Sequence, residues 1–238
     1  MTVKEPKKPN VHERHRERMR QRFREGGFSG FAQHEVLEYL LFMAIPRKNV
    51  NPIAHELLNH FGSIDRVLEA SAEELQEVKG IGAAAARLIE VVVAVNRYAL
   101  TVKRNPGNDP VTSVQQLAQY MESFLISRPR EVVYAIYLND QNRILKSEQL
   151  HEGTVNSSSI SEKVVANRMI TLGATQIVIG HNHPQGCSVP SQEDLVVTKR
   201  LASKLEMLGL RLLDHVIVGT DGYMSFRLSG QMNEIGVR

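Results

Sequence analysis

The sequence predicts an α/β chain of the α+β kind, in which a small all-α domain precedes a mixed-sheet domain. Apolar residues recur at helical spacing through the first half, and short β-branched runs alternate with helical stretches in the second half. Between the two halves, residues 103–110 are polar and rich in turn formers, as linkers are. We therefore expect a helical domain at 1–102, a linker at 103–110 and a mixed-sheet domain at 111–238.

The first half shows helical periodicity in four segments. Apolar positions three and four residues apart predict one buried face for each segment. Pro46 and Gly62 separate the first three segments, because proline and glycine interrupt helices. The predicted helices span residues 34–43, 51–60, 72–78 and 83–100.

The residues Gly80-Ile81-Gly82 lie between the last two of these helices and resemble the turn of a helix-hairpin-helix. The glycines permit a tight turn and a close approach of a DNA backbone, and the amides that begin the next helix can hold a phosphate. Arg87 adds a positive charge. The resemblance implies sequence-independent DNA binding through Gly80, Ile81, Gly82 and Arg87. The alternative is a purely structural or protein-binding hairpin.

Positive charge is concentrated at the N-terminus. Residues 1–25 contain nine Lys or Arg and four Glu, a net charge of +5, whereas the whole chain carries +3. The remaining residues therefore carry a net charge of −2. The arginines alternate from Arg14 to Arg24 on a predicted helix. This segment either binds phosphate backbones or forms a solvated helix in which Glu13 and Glu17 offset the charge.

The second half mixes strands with helices. The turn-forming pairs Asn139-Asp140 and Asp221-Gly222 each connect two apolar runs, which predicts β-hairpins. Helical spacing in the other segments predicts helices that cover the sheet. The predicted helices lie near 114–125, 161–172 and 192–208, and the predicted strands at 132–138, 144–150, 175–179, 211–218 and 223–228.

Two histidines follow the third of these strands, in the run Gly180-His181-Asn182-His183-Pro184. Side chains two residues apart on a strand point to the same face, so His181 and His183 face together if the strand continues that far. Two imidazoles on one face can bind a single metal ion. Pro184 then ends the strand, because it has no amide hydrogen for the sheet.

A serine and an aspartate begin the next predicted helix. Ser191 is a natural N-cap, and Asp194 lies on the same helical stripe as the apolar Val197 and Leu201. A carboxylate on the buried face of a helix is costly unless it is paired or bound to a metal. We therefore expect the helix to carry Asp194 towards the histidines. The alternative is a variant capping box beside ordinary loop histidines.

Three other residues near the motif have chemistry of their own. Cys187, the only cysteine, lies in the loop between the histidines and the helix. Cysteine is a good zinc ligand and so an alternative one here, but we do not expect Cys187 to bind the metal. His151 and His215 are near the motif in sequence or strand order. We assign both histidines structural or supporting roles.

The two histidines, Ser191 and Asp194 resemble the motif of the JAMM (MPN-type) metalloproteases, and the chain as a whole resembles the RadC family. The resemblance extends through Gly153-Thr154 upstream and through Leu213-Asp214-His215 with Gly219 downstream. It implies the MPN fold for the second domain. The resemblance also assigns the site, with His181, His183 and Asp194 as ligands of one Zn²⁺ per chain and Ser191 as the hydroxyl that stabilises a tetrahedral oxyanion.

JAMM enzymes also need an upstream glutamate that hydrogen-bonds the reacting water, and Glu148 is the best match to that position. On the strand from 143 to 151, Glu148 shares a face with Ile144 and Leu150, but also with Lys146. We therefore expect Glu148 to be catalytic. A solvated strand glutamate is the alternative.

The resemblance implies a zinc-dependent, metallopeptidase-like hydrolase of an amide or isopeptide bond in a protein or peptide. The first half implies that it acts in a DNA-associated context, with non-specific DNA binding through residues 1–102. One alternative is a DNA-binding adaptor protein with a structural or vestigial zinc site. A further alternative is a metal-dependent nuclease linked to DNA repair, although nucleases more often use a two-metal site.

Composition favours a cytoplasmic protein. A single cysteine excludes an internal disulfide and fits a reducing compartment. The first residues contain no apolar signal core, and no apolar run approaches the roughly 20 residues that cross a bilayer. We therefore expect no membrane partner. The sequence leaves the oligomeric state open.

Overall fold

The computed structural model describes residues 11–153 and 161–237, which form two compact units that divide between Ala94 and Val95. The predicted fold class is confirmed, because helices come first and a five-stranded mixed sheet with flanking helices follows. The predicted features at 1–10 and 154–160, including the lysine-rich start and Thr154 after Gly153, lie outside the described residues.

Six helices begin in the first unit. They are α1 (Val11–Gly26), α2 (Gln33–Ala44), α3 (Asn51–Phe61), α4 (Ile64–Glu69), α5 (Ala72–Glu77) and α6 (Ala83–Arg104). Helix α4, of six residues, was not among the predicted helices. The apolar stripes pack on one another through fully buried side chains such as Leu37, Leu57 and Ile89.

Two of the N-terminal arginines are used within the first unit. Arg22 pairs with Glu35 at 2.6 Å and lies over the ring of Phe31. Arg16 donates to the carbonyl of Ile45 and lies over the ring of Phe42. These contacts fix α1 against α2. Besides Arg22, four other arginines on α1 are exposed, namely Arg14, Arg18, Arg20 and Arg24.

Helix α6 continues through Arg104 and so includes the first two residues of the predicted linker. Lys103 and Arg104 in its last turn favour this extension, because cations are stabilised at the C-terminal end of a helix dipole. Arg104 also pairs with Glu122 at 2.6 Å. The rest of the segment, 105–110, contains no helix or strand. The domain boundaries themselves stay a prediction.

The second unit is built on a sheet in the strand order β2-β1-β3-β4-β5. Strands β3 and β4 are parallel, and the other neighbours are antiparallel. The elements are α7 (Val114–Leu125), β1 (Val132–Leu138), β2 (Ile144–Glu152), α8 (Glu162–Leu172), β3 (Gln176–Asn182), α9 (Gln192–Glu206), β4 (Arg211–Gly219), β5 (Gly222–Ser225) and α10 (Gln231–Glu234).

Helices cover both faces of this sheet. Helices α8 and α9 pack on the face that carries Ala135 and Ile179, and α7 packs on the face that carries Ile136 and Val178. Because side chains alternate along a strand, His181 belongs to the α8–α9 face and Asn182 to the α7 face. His181 and Asn182 therefore point to opposite faces of the sheet.

Strand β5 ends at Ser225, three residues before the predicted end at 228. The Ser225 hydroxyl donates to the buried carboxylate of Asp214 at 2.5 Å and accepts a bond from the amide of Leu228. These contacts turn the chain away from the sheet.

None of the helices in the described part of the chain has the length and apolar composition that would be needed to span a bilayer.

Candidate metal centre

The histidine motif lies where three elements meet. Strand β3 includes His181, and the amide of His183 still donates to the carbonyl of Val218 on β4 at 2.8 Å. Helix α9 begins opposite these residues with Asp194 in its first turn. Strand β1 runs antiparallel to β3 with Val133 opposite His181, so the start of β1 also lies at the site.

The two histidines approach each other through their Nε2 atoms, which are 3.0 Å apart. The His181 side chain is buried, with 2% of its surface exposed, whereas 23% of the His183 side chain is exposed. His183 therefore forms the open side of the pair. This arrangement agrees with the expectation that both imidazoles face one point.

Asp194 completes a triangle with the histidines. Its Oδ1 lies 3.3 Å from His181 Nε2, and its Oδ2 lies 3.9 Å from His183 Nε2. The residue is almost fully buried on α9. The Asp194 carboxylate also accepts a hydrogen bond from the backbone amide of Ser191 at 2.8 Å, so Asp194 is part of a capping box. The capping role and the approach to the histidines, which the sequence left as alternatives, therefore occur together.

The hydroxyl of Ser191 is already engaged in this capping box. It donates to Oδ2 of Asp194 at 2.6 Å and accepts from the amide of Asp194 at 3.1 Å. Both contacts hold the carboxylate in its present orientation. In the described structure, Ser191 therefore orients Asp194.

Glu131 is a site residue that the sequence reasoning missed. Its carboxylate and the ligand nitrogens of His181 and His183 all lie within 4.8 Å of one another, as a group able to hold a metal ion. Glu131 immediately precedes β1 and has the same parity as Val133, which pairs with His181. The sequence predicts that Glu131 and Val133, two residues apart, point to the same face of the sheet. It does not predict that β1 pairs with β3.

Glu148 has different partners. Its carboxylate receives two hydrogen bonds from Arg168, at 2.7 and 2.8 Å, and pairs with Lys146 at 2.7 Å. Glu148 lies opposite Ala135 on β1, two residues further along the sheet than the His181 row. The Arg168 guanidinium lowers the pKa of Glu148 to about 2, with Lys146 adding to the effect. The structure thus brings Glu131, and not Glu148, to the histidines.

The loop after the histidines fixes the ring of His183. The Nδ1 of His183 lies 2.8 Å from the carbonyl oxygen of Cys187. A glycine at 219 allows this loop to sit on the end of β4, because a Cβ there would collide with the backbone of Cys187 and Ser188. The Cys187 side chain is exposed. The group among the described residues that could hold a metal ion consists of Glu131, His181 and His183, and it contains neither Cys187 nor Asp194.

The donor set fits a zinc ion. A carbonyl can only accept a hydrogen bond, so Nδ1 of His183 carries a proton and Nε2 is the nitrogen left to bind an ion. Burial lowers the pKa of His181 to about 4, so this ring is neutral at pH 7. The 3.0 Å between the two Nε2 atoms and the 3.3 Å from His181 Nε2 to Asp194 Oδ1 are close to the edge of roughly 3.3 Å in a tetrahedral zinc site. The 3.9 Å from His183 is longer and is measured to the other carboxylate oxygen, Oδ2.

Asn182, between the two histidines, holds the segment that carries Glu131. Its Oδ1 accepts from the amide of Val132 at 2.8 Å, and its Nδ2 donates to the carbonyls of Arg128 and Arg130 at 3.3 and 3.1 Å. The side chain is buried on the α7 face. The motif therefore places its two histidines on one face of the sheet. Its asparagine, on the other face, holds the segment that contains Glu131.

Of the other two histidines near the motif, His151 lies on β2 opposite Val133 and is half-buried. His215 lies on β4 and is buried, with its Nε2 2.9 Å from Nδ1 of His181. His215 thus contacts a candidate ligand directly.

The predicted hairpin lies in the first unit, between α5 and α6. Gly80 adopts a φ of +102°, and a Cβ there would collide with Ile53, so only glycine fits this turn. Ile81 is a buried core residue, and its amide donates to the carbonyl of Val78 at 3.0 Å. Gly82 has open space around it, and Arg87 is exposed on α6. The hairpin geometry is present, with the amides at the start of α6 accessible.

Comparisons with known proteins agree with this architecture. Residues 111–231 match the RadC-like JAB domain, and residues 10–87 match the UPF0758 N-terminal domain. A UPF0758 protein of Ruegeria pomeroyi is 36% identical over 92% of this chain and 97% of its own length. UPF0758 proteins of Fusobacterium nucleatum and Rhodobacter capsulatus are 33% and 34% identical, over 91% and 89% of this chain and 96% and 99% of their own lengths. The chain therefore belongs to the RadC (UPF0758) family and carries a JAMM-like domain of that family in its second half.

Proposed function

We propose that the second unit is a zinc-dependent hydrolase of JAMM type that cleaves an amide or isopeptide bond in a protein or peptide. The single observation that carries this proposal is the meeting of two imidazole Nε2 atoms, 3.0 Å apart, with the Asp194 carboxylate at 3.3 Å. Two imidazoles and a carboxylate that converge on one point are the donor set that zinc prefers.

His181, His183 and Asp194 would hold the ion, which leaves its fourth position to solvent or substrate. A bound zinc ion supplies Lewis-acid polarisation of a carbonyl and acidifies water towards a pKa of about 7. The partly exposed His183 lies on the open side of the site, so substrate approaches from there.

Glu131 takes the role that the resemblance had assigned to Glu148. Its carboxylate is close enough to both histidines to accept a proton from the attacking water and to return it to the departing amine nitrogen. Glu148 is unsuited to this work, because two cations hold its charged form. Ser191 stabilises an oxyanion only if its hydroxyl rotates away from Asp194 when substrate arrives.

The experiment compares two isosteric substitutions, Glu131→Gln and Glu148→Gln, in the full zinc-loaded chain. The probes are quenched fluorescent peptides and a peptide joined through a lysine isopeptide bond. We expect Glu131→Gln to lose at least about 100-fold in kcat, in line with general base catalysis, while it keeps its zinc. Glu148→Gln should keep most of the activity. A fully active Glu131→Gln, or an inactive Glu148→Gln that folds and binds zinc, contradicts the assignment.

A second proposal concerns the hairpin in the first unit, which we infer to contact the phosphate backbone of DNA without reading sequence. The start of α6 is exposed from Gly82 to Ala84, and the exposed Lys79 and Arg87 flank it. Amides at a helix N-terminus bind phosphate, and nearby cations add attraction that depends on salt.

This proposal is tested by duplex binding of the full chain at several salt concentrations. Arg87→Glu should weaken binding to duplexes of unrelated sequence equally and should lower the slope against log salt by about one unit or more. Arg66→Glu is the matched control, since Arg66 is an exposed arginine on α4 of the same unit. Equal effects of the two substitutions would point to general charge rather than to the hairpin.

The same preparation separates the alternative functions. Zinc-dependent nicking of a supercoiled plasmid, lost in Asp194→Ala, would favour a nuclease. DNA binding with a filled zinc site and no hydrolysis of any probe would favour an adaptor whose zinc is structural.

A further inference from the structure

A chain of hydrogen bonds connects the two candidate ligands His181 and Asp194 through the interior of the second unit. Nδ1 of His181 lies 2.9 Å from Nε2 of His215, and Nδ1 of His215 lies 2.6 Å from the hydroxyl of Thr198. That hydroxyl donates to the backbone carbonyl of Asp194 at 2.5 Å. Phe226 stacks on the His215 ring at 4.9 Å and restrains its orientation.

The direction of every proton in this chain follows from its carbonyl end. The Asp194 carbonyl can only accept, so the single hydroxyl proton of Thr198 points to it. The oxygen of Thr198 must then accept from His215, which places the proton of that ring on Nδ1. Nε2 of His215 therefore accepts the Nδ1 proton of His181, which leaves Nε2 of His181 without a proton.

We propose that Thr198 and His215 are positioning residues that hold His181 in its Nδ1–H tautomer and so keep its Nε2 lone pair directed at the metal centre. This inference rests on the proposed function only in naming the ion. The tautomer itself is a property of the metal-free protein. Both residues are buried, Thr198 fully and His215 with 2% exposed, so water does not compete for these bonds.

His183 shows why Thr198 matters. The Nδ1 proton of His183 is fixed by the Cys187 carbonyl, which has no proton to donate. His181 has an imidazole as its partner instead, and an imidazole can donate or accept. Without the Thr198 hydroxyl, His215 can hold its proton on Nε2 and donate to His181, which would move the His181 proton to Nε2 and block the ligand position.

The same chain of hydrogen bonds also connects two elements, α9 and β3, that each supply a proposed ligand. It begins at the carbonyl of Asp194 on α9, crosses to His215 on β4 and ends at His181 on β3. A supporting hydrogen bond to a metal-binding histidine usually changes metal affinity by about 10- to 100-fold. Loss of the Thr198 hydroxyl should therefore affect zinc binding although Thr198 is not a ligand.

The test combines imidazole tautomers with zinc affinity. Long-range proton–nitrogen NMR of the metal-free full chain at neutral pH should show His181 and His215 as Nδ1–H tautomers, and Thr198→Ser should retain them. Thr198→Val should populate the Nε2–H tautomer of His181 and weaken zinc binding by about 10-fold or more in chelator competition. Thr171→Val is the matched control, because Thr171 makes the same bond to the carbonyl four residues earlier with an exposed side chain.

An Nε2–H tautomer of His181 in the metal-free wild type would overturn the proposal, and this measurement needs neither zinc nor a folded variant. A Thr198→Val protein with wild-type tautomers and wild-type zinc affinity would overturn it as well. Tight zinc binding without hydrolysis would refute the proposed function and leave this inference intact.

Discussion

Asn182 shows how one buried side chain supports a site that it does not enter. It makes three hydrogen bonds to the backbone of residues 128–132, and Glu131 lies within that segment. Each buried polar group left without a partner costs about 1–3 kcal/mol. The residue between the two histidines is therefore part of what fixes the proposed general base.

We predict that Asn182→Leu, of similar volume, lowers the free energy of unfolding of the metal-free chain by about 2–4 kcal/mol. Urea unfolding in the presence of a chelator measures this without a contribution from bound metal. The same substitution at Asn167, which is exposed on α8, should change stability by less than about 0.5 kcal/mol. An Asn182→Leu protein as stable as that control would show that the three bonds contribute nothing.

We predict that the ion pairs of Glu148 make the free energy of unfolding depend on pH in the acid range. The pKa of its carboxyl falls from 4.5 to about 2 in the folded chain, chiefly through Arg168. A group whose pKa is lower in the folded state stabilises the protein above the unfolded pKa, and that contribution disappears as pH falls to the folded value. The stability difference between wild type and Glu148→Gln should therefore shrink between about pH 4.5 and about pH 2. A difference that stays constant over this range would contradict the ion pair.

At the scale of elements, α9 serves two purposes through its first turn. The Ser191–Asp194 capping box begins the helix, and the same aspartate lies against the histidines. Further along the helix, the buried Val197 and Leu201 seat it on the sheet, and Thr198 connects it to His215. The position of the candidate ligand Asp194 therefore depends on how the helix starts.

We predict that Ser191→Ala lowers the free energy of unfolding by about 1 kcal/mol and also weakens zinc binding, because Asp194 loses the hydroxyl that orients it. Ser113→Ala is the matched control, since Ser113 caps α7 of the same unit by accepting the amide of Gln116. The control should lose similar stability and keep its zinc affinity. Equal zinc affinity in both variants would mean that Ser191 acts only as a cap.

Elements also explain what the sequence could and could not predict. The histidines, Ser191 and Asp194 were found because their arrangement depends on local geometry, namely the alternation of a strand and the first turn of a helix. The glutamate depends on which strands pair. Strand β1 is adjacent to β3, with Val133 opposite His181, and this pairing alone brings Glu131 to the site. The alternation of side chains along β2 was compatible with a site role for Glu148. It did not show which strand lies next to β2.

At the scale of the whole molecule, the chain joins a helical unit with a hairpin to a mixed-sheet unit with a candidate metal centre. The fold class and family were predictable, because helical periodicity, β-branched runs and a spaced motif are all sequence patterns. Other features depended on tertiary contacts. Ile81 is buried in the core, and Arg16 and Arg22 make contacts within their own unit.

The most direct measurement is the zinc content of the purified full chain, by mass spectrometry, in the wild type, Asp194→Ala and Glu131→Gln. We predict about one zinc per chain in the wild type and in Glu131→Gln, which keeps all three proposed ligands, and little in Asp194→Ala. A wild type without zinc, even when zinc is supplied during expression, would contradict the proposed zinc site. So would an Asp194→Ala protein that binds zinc as tightly as the wild type.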